Sequence, residues 1–279
     1  MRLKGTHEIG DMVSQVVIEM NSSSHPHTKD IIGSPVTALP FSEQIALMLN
    51  WARERSSKAV CIANVHMLIE AYQQPDFATI LRKADLVTPD GMPLVWMLKM
   101  LGAAHQDRVA GLDVLKAVCT RAPELNVSVF FLGSQQAVLD KMKERLEREF
   151  PTLAIAGMEP LPFRPMTQEE DEALIRKINE SGAGIVFVAL GCPKQEAWIA
   201  QHKGQINSVM IGLGGAFPVY AGIHKRAPLV VRSLGFEWLY RLLQEPRRLW
   251  GRYRRTIPVF IWLASKQLLT SMKQTSTQS

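Results

Sequence analysis

The chain has 279 residues, 47% hydrophobic and 21% charged, with 18 Gly and 16 Pro, ordinary globular usage that excludes a disordered or fibrous protein and leaves ample material for a core. Cys61, Cys119 and Cys192 are odd in number and far apart, so neither a disulfide framework nor a zinc cluster fits, and a reducing compartment is the simpler reading. The formal charge is +6, but residues 225–273 carry eleven Lys or Arg against only Glu237 and Glu245, a net +9 that leaves −3 for the remainder and marks a segment attractive to polyanions.

Residues 1–34 mix Ser, His, Pro and charge without sustained periodicity and read as a loose N-terminal arm without a signal-peptide apolar region. Ile45, Ala46, Leu49 and Ala52 recur at helical spacing within residues 41–55, and Ala59-Val60-Cys61-Ile62 is an apolar run fit for a buried strand. Further strands are predicted at Leu86-Val87 and at residues 127–132, 153–156, 185–190 and 209–213, separated by helices such as 135–150 and 168–180. Strands alternating with helices predict an α/β fold, a mostly parallel sheet covered by helices, over residues 35–224. Residues 225–279 read as a basic amphipathic helical appendage, with Trp238, Leu239, Leu242, Leu243, Leu249, Trp250 and Tyr253 among arginines and a second amphipathic stretch starting at Pro258. Its longest apolar run, residues 256–264, is too short to span a bilayer. A helix lying at a membrane surface is favoured over nucleic acid, because the tryptophans follow helical periodicity rather than a strand-borne stacking platform. The α/β body is expected to stay folded without this segment.

The strand ends turn polar and glycine-rich: Asn64, Thr88-Pro89-Asp90-Gly91, Gly133-Ser134, Gly191-Cys192-Pro193 and Gly212-Leu213-Gly214-Gly215. In an open α/β sheet such ends lie side by side, and helix N-termini there suit a phosphorylated or nucleotide ligand, although the same glycines also serve simply to turn the chain. Residues 212–217 begin like a dinucleotide fingerprint, but Phe217 occupies the third glycine position. No Walker A sequence, no Asp-x-Asp and no nucleophile elbow occurs, and only His25 and His27 in the arm have ligand spacing, so neither a metal nor a cofactor is expected. Asp90, at a strand end before a helix, is either a general base or a helix cap. Arg108 is either a phosphate ligand or half of an Arg–Asp pair with Asp113 that braces a turn.

Taken as an ordered set, Asn64, Asp90-Gly91, Arg108-x-x-Gly111-x-Asp113, Phe131-Leu132-Gly133, Gly191-x-Pro193-Lys194-Gln195-Glu196-x-Trp198, Gly212 to Phe217 and Gly235-x-Glu237-Trp238-x-x-Arg241-x-x-x-Glu245-Pro246 resemble the WecG/TagA/CpsF glycosyltransferase family over about residues 35–255. The resemblance implies an inverting, metal-independent transfer on a Rossmann-like sheet. A hexose or N-acetylhexosamine, N-acetylmannosamine being the best-known case, would pass from a UDP-sugar to a polyprenyl-pyrophosphate-linked saccharide in cell-surface polysaccharide synthesis. It casts Asp90 as the base, and Asn64, Gly91, Arg108, Gly111, Asp113, Gly133, Gly191, Pro193, Gln195, Glu196, Gly212, Gly214 and Gly215 as the substrate pocket. Arg232, Arg241 and Arg247 of the appendage would meet the departing UDP. The enzyme would be cytoplasmic, attached peripherally to the inner face of the cell membrane, without a nucleic-acid partner and compatible with a homo-oligomer. Two positions depart from the family's habit: Ile62 stands where Thr is common, and Pro218 where Asp is common. The readings from other classes are a nucleotide-binding oxidoreductase on the same sheet and a basic-tailed binding protein for a membrane surface or nucleic acid.

Overall fold

A computed structural model describes residues 26–162 and 164–276 of the protein. The first 25 residues, with His25 and most of the expected arm, lie outside the described residues. The end of that arm is ordered: β1 (Thr28–Ile31) and β2 (Ser34–Thr37) form an antiparallel hairpin. Its two turn residues, Ile32 and Gly33, both have positive φ, as the right-handed twist of a two-residue hairpin loop requires. Ile31, Ile32 and Val36 are buried, and this burial holds the hairpin against the body.

Next come α1 (Phe41–Arg53), β3 (Lys58–Ala63), α2 (Val65–Gln73), α3 (Pro75–Lys83), β4 (Leu86–Pro89), α4 (Met92–Met100), α5 (Gly111–Arg121), β5 (Val129–Gly133), α6 (Gln136–Glu149) and β6 (Ile155–Glu159). The chain continues through α7 (Gln168–Glu180), β7 (Ile185–Ala189), α8 (Lys194–His202), β8 (Val209–Gly212) and α9 (Ala216–Tyr220). Strands β3 to β8 form one parallel sheet in the order β4-β3-β8-β7-β5-β6. The fold class read from the sequence is therefore the one observed.

Successive strand residues feed opposite faces, as the pleat dictates. Val60, Ile62, Phe131, Phe187 and Ile211 pack under α1, α5, α6 and α9. Cys61, Ala63 and Val87 pack under α2, α3, α4 and the hairpin, while Phe130, Leu132, Val186, Val188 and Met210 pack under α7 and α8. With both faces covered, the strands read as apolar runs without alternation. The buried His202 at the end of α8 lies 2.7 Å from the Trp198 carbonyl and 3.0 Å from Asp171 on α7, which pins α8 to α7.

The appendage comprises α10 (Leu229–Ser233), α11 (Glu237–Gln244) and α12 (Pro246–Ser276). Its last helix runs through Pro258 instead of restarting there. Proline removes one backbone donor, yet packing on both sides of it sustains the helix. Phe260, Leu263 and Ala264 are buried with α2 and the hairpin, so Phe260 belongs to the core and not to an interfacial face. The body expected to stand without the appendage thus shares part of its core with α12. Trp250 and Trp262, by contrast, are exposed. Truncating Phe260 to Ala is expected to cost about 3 kcal/mol in a denaturant titration, whereas Trp262→Ala stays within about 0.5 kcal/mol.

Candidate active site

Strand β8 leads to α9 on one face, while its neighbours β3 and β7 lead to α2 and α8 on the other. The chain therefore parts above the end of β8, at the carboxyl edge of the sheet, the place where folds of this kind form their ligand crevice. The glycine-rich loop after β8 has a specific reason there. A Cβ on Gly212 would stand 2.9 Å from Gln195 Nε2, and one on Gly214 would stand 2.8 Å from Gln195 Oε1. These glycines admit the Gln195 side chain; they do not form a dinucleotide fingerprint.

Gln195 is fixed at both ends of its amide. Its Oε1 accepts from the Gly191 N–H at 3.2 Å, and its Nε2 donates to Glu196 Oε1 at 2.7 Å. One amide hydrogen remains for a ligand. Glu196 is fully buried, and desolvation pushes its carboxyl above the usual range. Gly191 and Pro193 shape the approach to α8, with Pro193 as its N-cap residue. Gly133 ends β5 against Ala189 at the end of β7.

On the other side of the crevice Ala63 pairs with Pro89, and the Asp90 N–H donates to the Ala63 carbonyl at 2.7 Å, so Asn64 and Asp90 emerge side by side. Asn64 caps α2, its Oδ1 accepting the Met67 N–H at 3.2 Å. Asp90 caps nothing: the N-cap of α4 is Gly91, at φ +102°, with no side-chain cap bond. Asp90 keeps some solvent contact, yet protein surrounds it at the crevice floor. Desolvation, reinforced by Glu237 and Asp113 and opposed by Arg108 and Arg241, raises its pKa to about 7.

Arg108 does pair with Asp113, Nη2 to Oδ2 at 3.4 Å, and it also pairs through Nη1 with Glu237 of the appendage. Asp113, in the first turn of α5, collects Arg226 as well and has Arg232 Nη1 at 4.0 Å. Gly111 opens α5 against the Leu213 side chain. Arg241 lies over Gly215, where an added Cβ would meet Nη2 at 3.1 Å. Gly235 seats the appendage on α4, since a Cβ there would stand 2.7 Å from Trp96 Cη2.

Of the three appendage arginines singled out from the sequence, Arg232 and Arg241 thus join the cluster around Asp90. Arg247 is exposed and makes no ion pair among the described residues. The sequence reading assigned no role to Arg226 or Glu237. For Glu237 the available signal is that it is one of only two acids in a strongly basic stretch; Arg226 has none beyond its charge. Ile62 lies in the core, and the Pro218 carbonyl accepts the N–H groups of Ile223 and His224 in the turn after α9. Among the described residues no three of His, Cys, Asp and Glu gather as a metal site, and no helix is long and apolar enough to cross a membrane.

A doubly wound sheet with an uncapped carboxylate at its carboxyl edge, under a roof of arginines, is the frame of an α/β enzyme. The model of the Glycosyl transferase WecG/TagA/CpsF family matches residues 29–274, and the chain belongs to that family. It is a glycosyltransferase, which removes the oxidoreductase and simple-adaptor readings. It is also similar to the N-acetylglucosaminyldiphosphoundecaprenol N-acetyl-beta-D-mannosaminyltransferase of Bacillus spizizenii, with 35% identity over 215 residues, 77% of this chain and 81% of the relative.

Because Asp90 holds its proton more tightly folded than unfolded, the stability it contributes is present below about pH 4 and is lost as pH rises to about 7. Asp90→Asn is therefore expected to raise the thermal midpoint at pH 8 relative to the native chain, with the gain vanishing toward pH 4. Calorimetry across that range checks it.

Proposed function

We propose that residues 35–224 form the transferase body and residues 225–279 its appendage, and that together they move an N-acetylhexosamine or hexose from a UDP-sugar to a polyprenyl-diphosphate-linked saccharide. The observation that carries this reading is the place of Asp90, at the carboxyl end of β4 beside Asn64 and free of any capping role, where burial raises its proton affinity and Arg108 and Arg241 oppose the rise. The relative from Bacillus spizizenii, named for N-acetylmannosamine transfer to a diphosphoundecaprenol-linked sugar, supports the substrate class.

In this reaction the acceptor hydroxyl gives its proton to the Asp90 carboxylate as its oxygen attacks the anomeric carbon. The bond from that carbon to the diphosphate oxygen breaks on the opposite side, which inverts the configuration. A base whose pKa lies near neutrality both accepts the proton and is ionised often enough to act. Charge building on the departing UDP meets Arg241 and Arg232, fixed groups that need no reorganisation. Gln195 offers its free amide hydrogen to the donor, and Asn64 borders the acceptor side.

The acceptor is a lipid, and the appendage has the features of a peripheral anchor to the inner membrane face. Leu229, Val230, Leu243, Trp250 and Trp262 are exposed, and Arg254 and Arg255 stand exposed on α12. Each such cation contributes about 1 kcal/mol beside an anionic surface.

Incubation of the protein with UDP-N-acetylmannosamine and a short synthetic lipid-diphosphate saccharide, in EDTA, is expected to give a product heavier by one N-acetylhexosamine in mass spectrometry. Asp90→Asn should lower turnover by about 10² or more with donor affinity retained, and near-normal turnover would reject the base. Arg254→Glu with Arg255→Glu should weaken sedimentation with anionic liposomes while leaving transfer to a water-soluble acceptor intact.

A further inference from the structure

The side chain of Arg108 is only 12% exposed and is paired with two carboxylates from different parts of the chain. Asp113 belongs to the body, in the first turn of α5. Glu237 is the first residue of α11 and arrives with the appendage. Glu237 and Arg241 are four residues apart, so they share one face of α11. That face lies over the crevice, because Gly235 just before it rests on Met92 and Trp96 of α4 while Arg241 covers Gly215.

The charges that bear on Asp90 come from three places in the chain: Arg108 from the loop before α5, Asp113 from α5, and Glu237 and Arg241 from α11. Behind them Arg226 and Arg232 bear on Asp113. With Glu237 in place, the two cations that bear on Asp90, Arg108 and Arg241, are matched by two acids. Without it, Arg108 and Arg241 stand against Asp113 alone, and Asp113 is already shared with two further arginines. A carboxylate among uncompensated cations ionises readily but takes up a proton poorly.

We propose that Glu237 is a positioning residue for the transfer: carried in by the appendage, it pairs with Arg108 and takes part of that guanidinium's charge off Asp90, so that Asp90 is free to receive the acceptor's proton. This rests on the reading of Asp90 as the base. The ranking of influences on Asp90 agrees with it, since Glu237 is the strongest charge raising its proton affinity and Arg108 the strongest lowering it. The device also accounts for an acid in the family-matching stretch of an otherwise basic segment: a cation at position 237 would leave Arg108 facing a like charge.

The test is the pH profile of kcat/KM in phosphate-free buffer, because an added anion could substitute for Glu237 on Arg108. Glu237→Gln keeps the size and an acceptor oxygen for Arg108 but removes the charge. The acid limb is expected to move to lower pH by about one unit, as loss of one neighbouring charge dictates. Glu237→Asp, which retains the charge, should return the limb toward the native position, a rescue that a purely structural contact would not give. Should the glutamine variant not fold, Glu237→Ala carries the same expected direction. An acid limb unmoved in a folded neutral variant overturns the proposal. Asp90→Asn separates the two readings: if the acid limb survives in it unchanged, Asp90 is not the base, whereas if the limb disappears there but stays put in Glu237→Gln, only the role of Glu237 fails.

Discussion

The half-buried ion pairs among Arg108, Asp113 and Glu237 join two parts of the chain that the sheet alone would not bring together. Such pairs add little net stability, because desolvating the charges offsets most of their attraction, but breaking one leaves a costly uncompensated charge. Their effect is therefore to specify where the appendage sits. Arg108 can be satisfied fully only when α11 presents Glu237, and in that position the same helix sets Arg241 over Gly215. The geometry of the crevice roof follows from the demand of one guanidinium.

The appendage divides into two regimes of stability. Neither α10 nor α11 contains a buried residue, and Leu229, Val230, Leu234 and Phe236 face outward. Elements with few buried apolar contacts open at low free energy. α12 is different, since Phe260, Leu263 and Ala264 lie in the same cluster as Ile31, Val36 and Leu68. A firmly packed helix thus tethers a lightly held one across the mouth of the crevice. This arrangement keeps the exposed apolar side chains of α10 and α11 close to the site they cover.

The parallel sheet is legible in the sequence because its short apolar runs, bounded by glycines, are too brief for helices and too apolar for loops, and the helix over residues 168–180 is announced by the capping box of Thr167 and Glu170. Less legible features share a physical cause: their signals depend on partners distant in sequence. The hairpin is hidden because its strands are four residues long and its turn puts Ile32, a β-branched residue, at positive φ. The passage of α12 through Pro258 depends on packing against α2, which no local propensity reports. At the site, Asp90 and the strand-end glycines stand out by position alone. The purpose of Gly212 and Gly214 emerges only with the Gln195 side chain lying against them. Arg247 and Arg241 look alike in sequence, yet only Arg241 falls on the face of α11 that covers the crevice.

Under the proposed reaction, the charge balance also bears on the order of events. The cluster sets Arg108, Arg226, Arg232 and Arg241 against Asp113, Glu237 and an Asp90 whose pKa is raised to about 7. A diphosphate drawn to those arginines adds negative charge near Asp90, which raises its proton affinity as Glu237 does. The base is then at its strongest with the donor in place and weakens once UDP leaves. Proton uptake from the acceptor is thereby favoured in the complex where attack can follow. A carboxylate raised by burial alone would lack that discrimination; here it arises because the same arginines face the leaving group and the base.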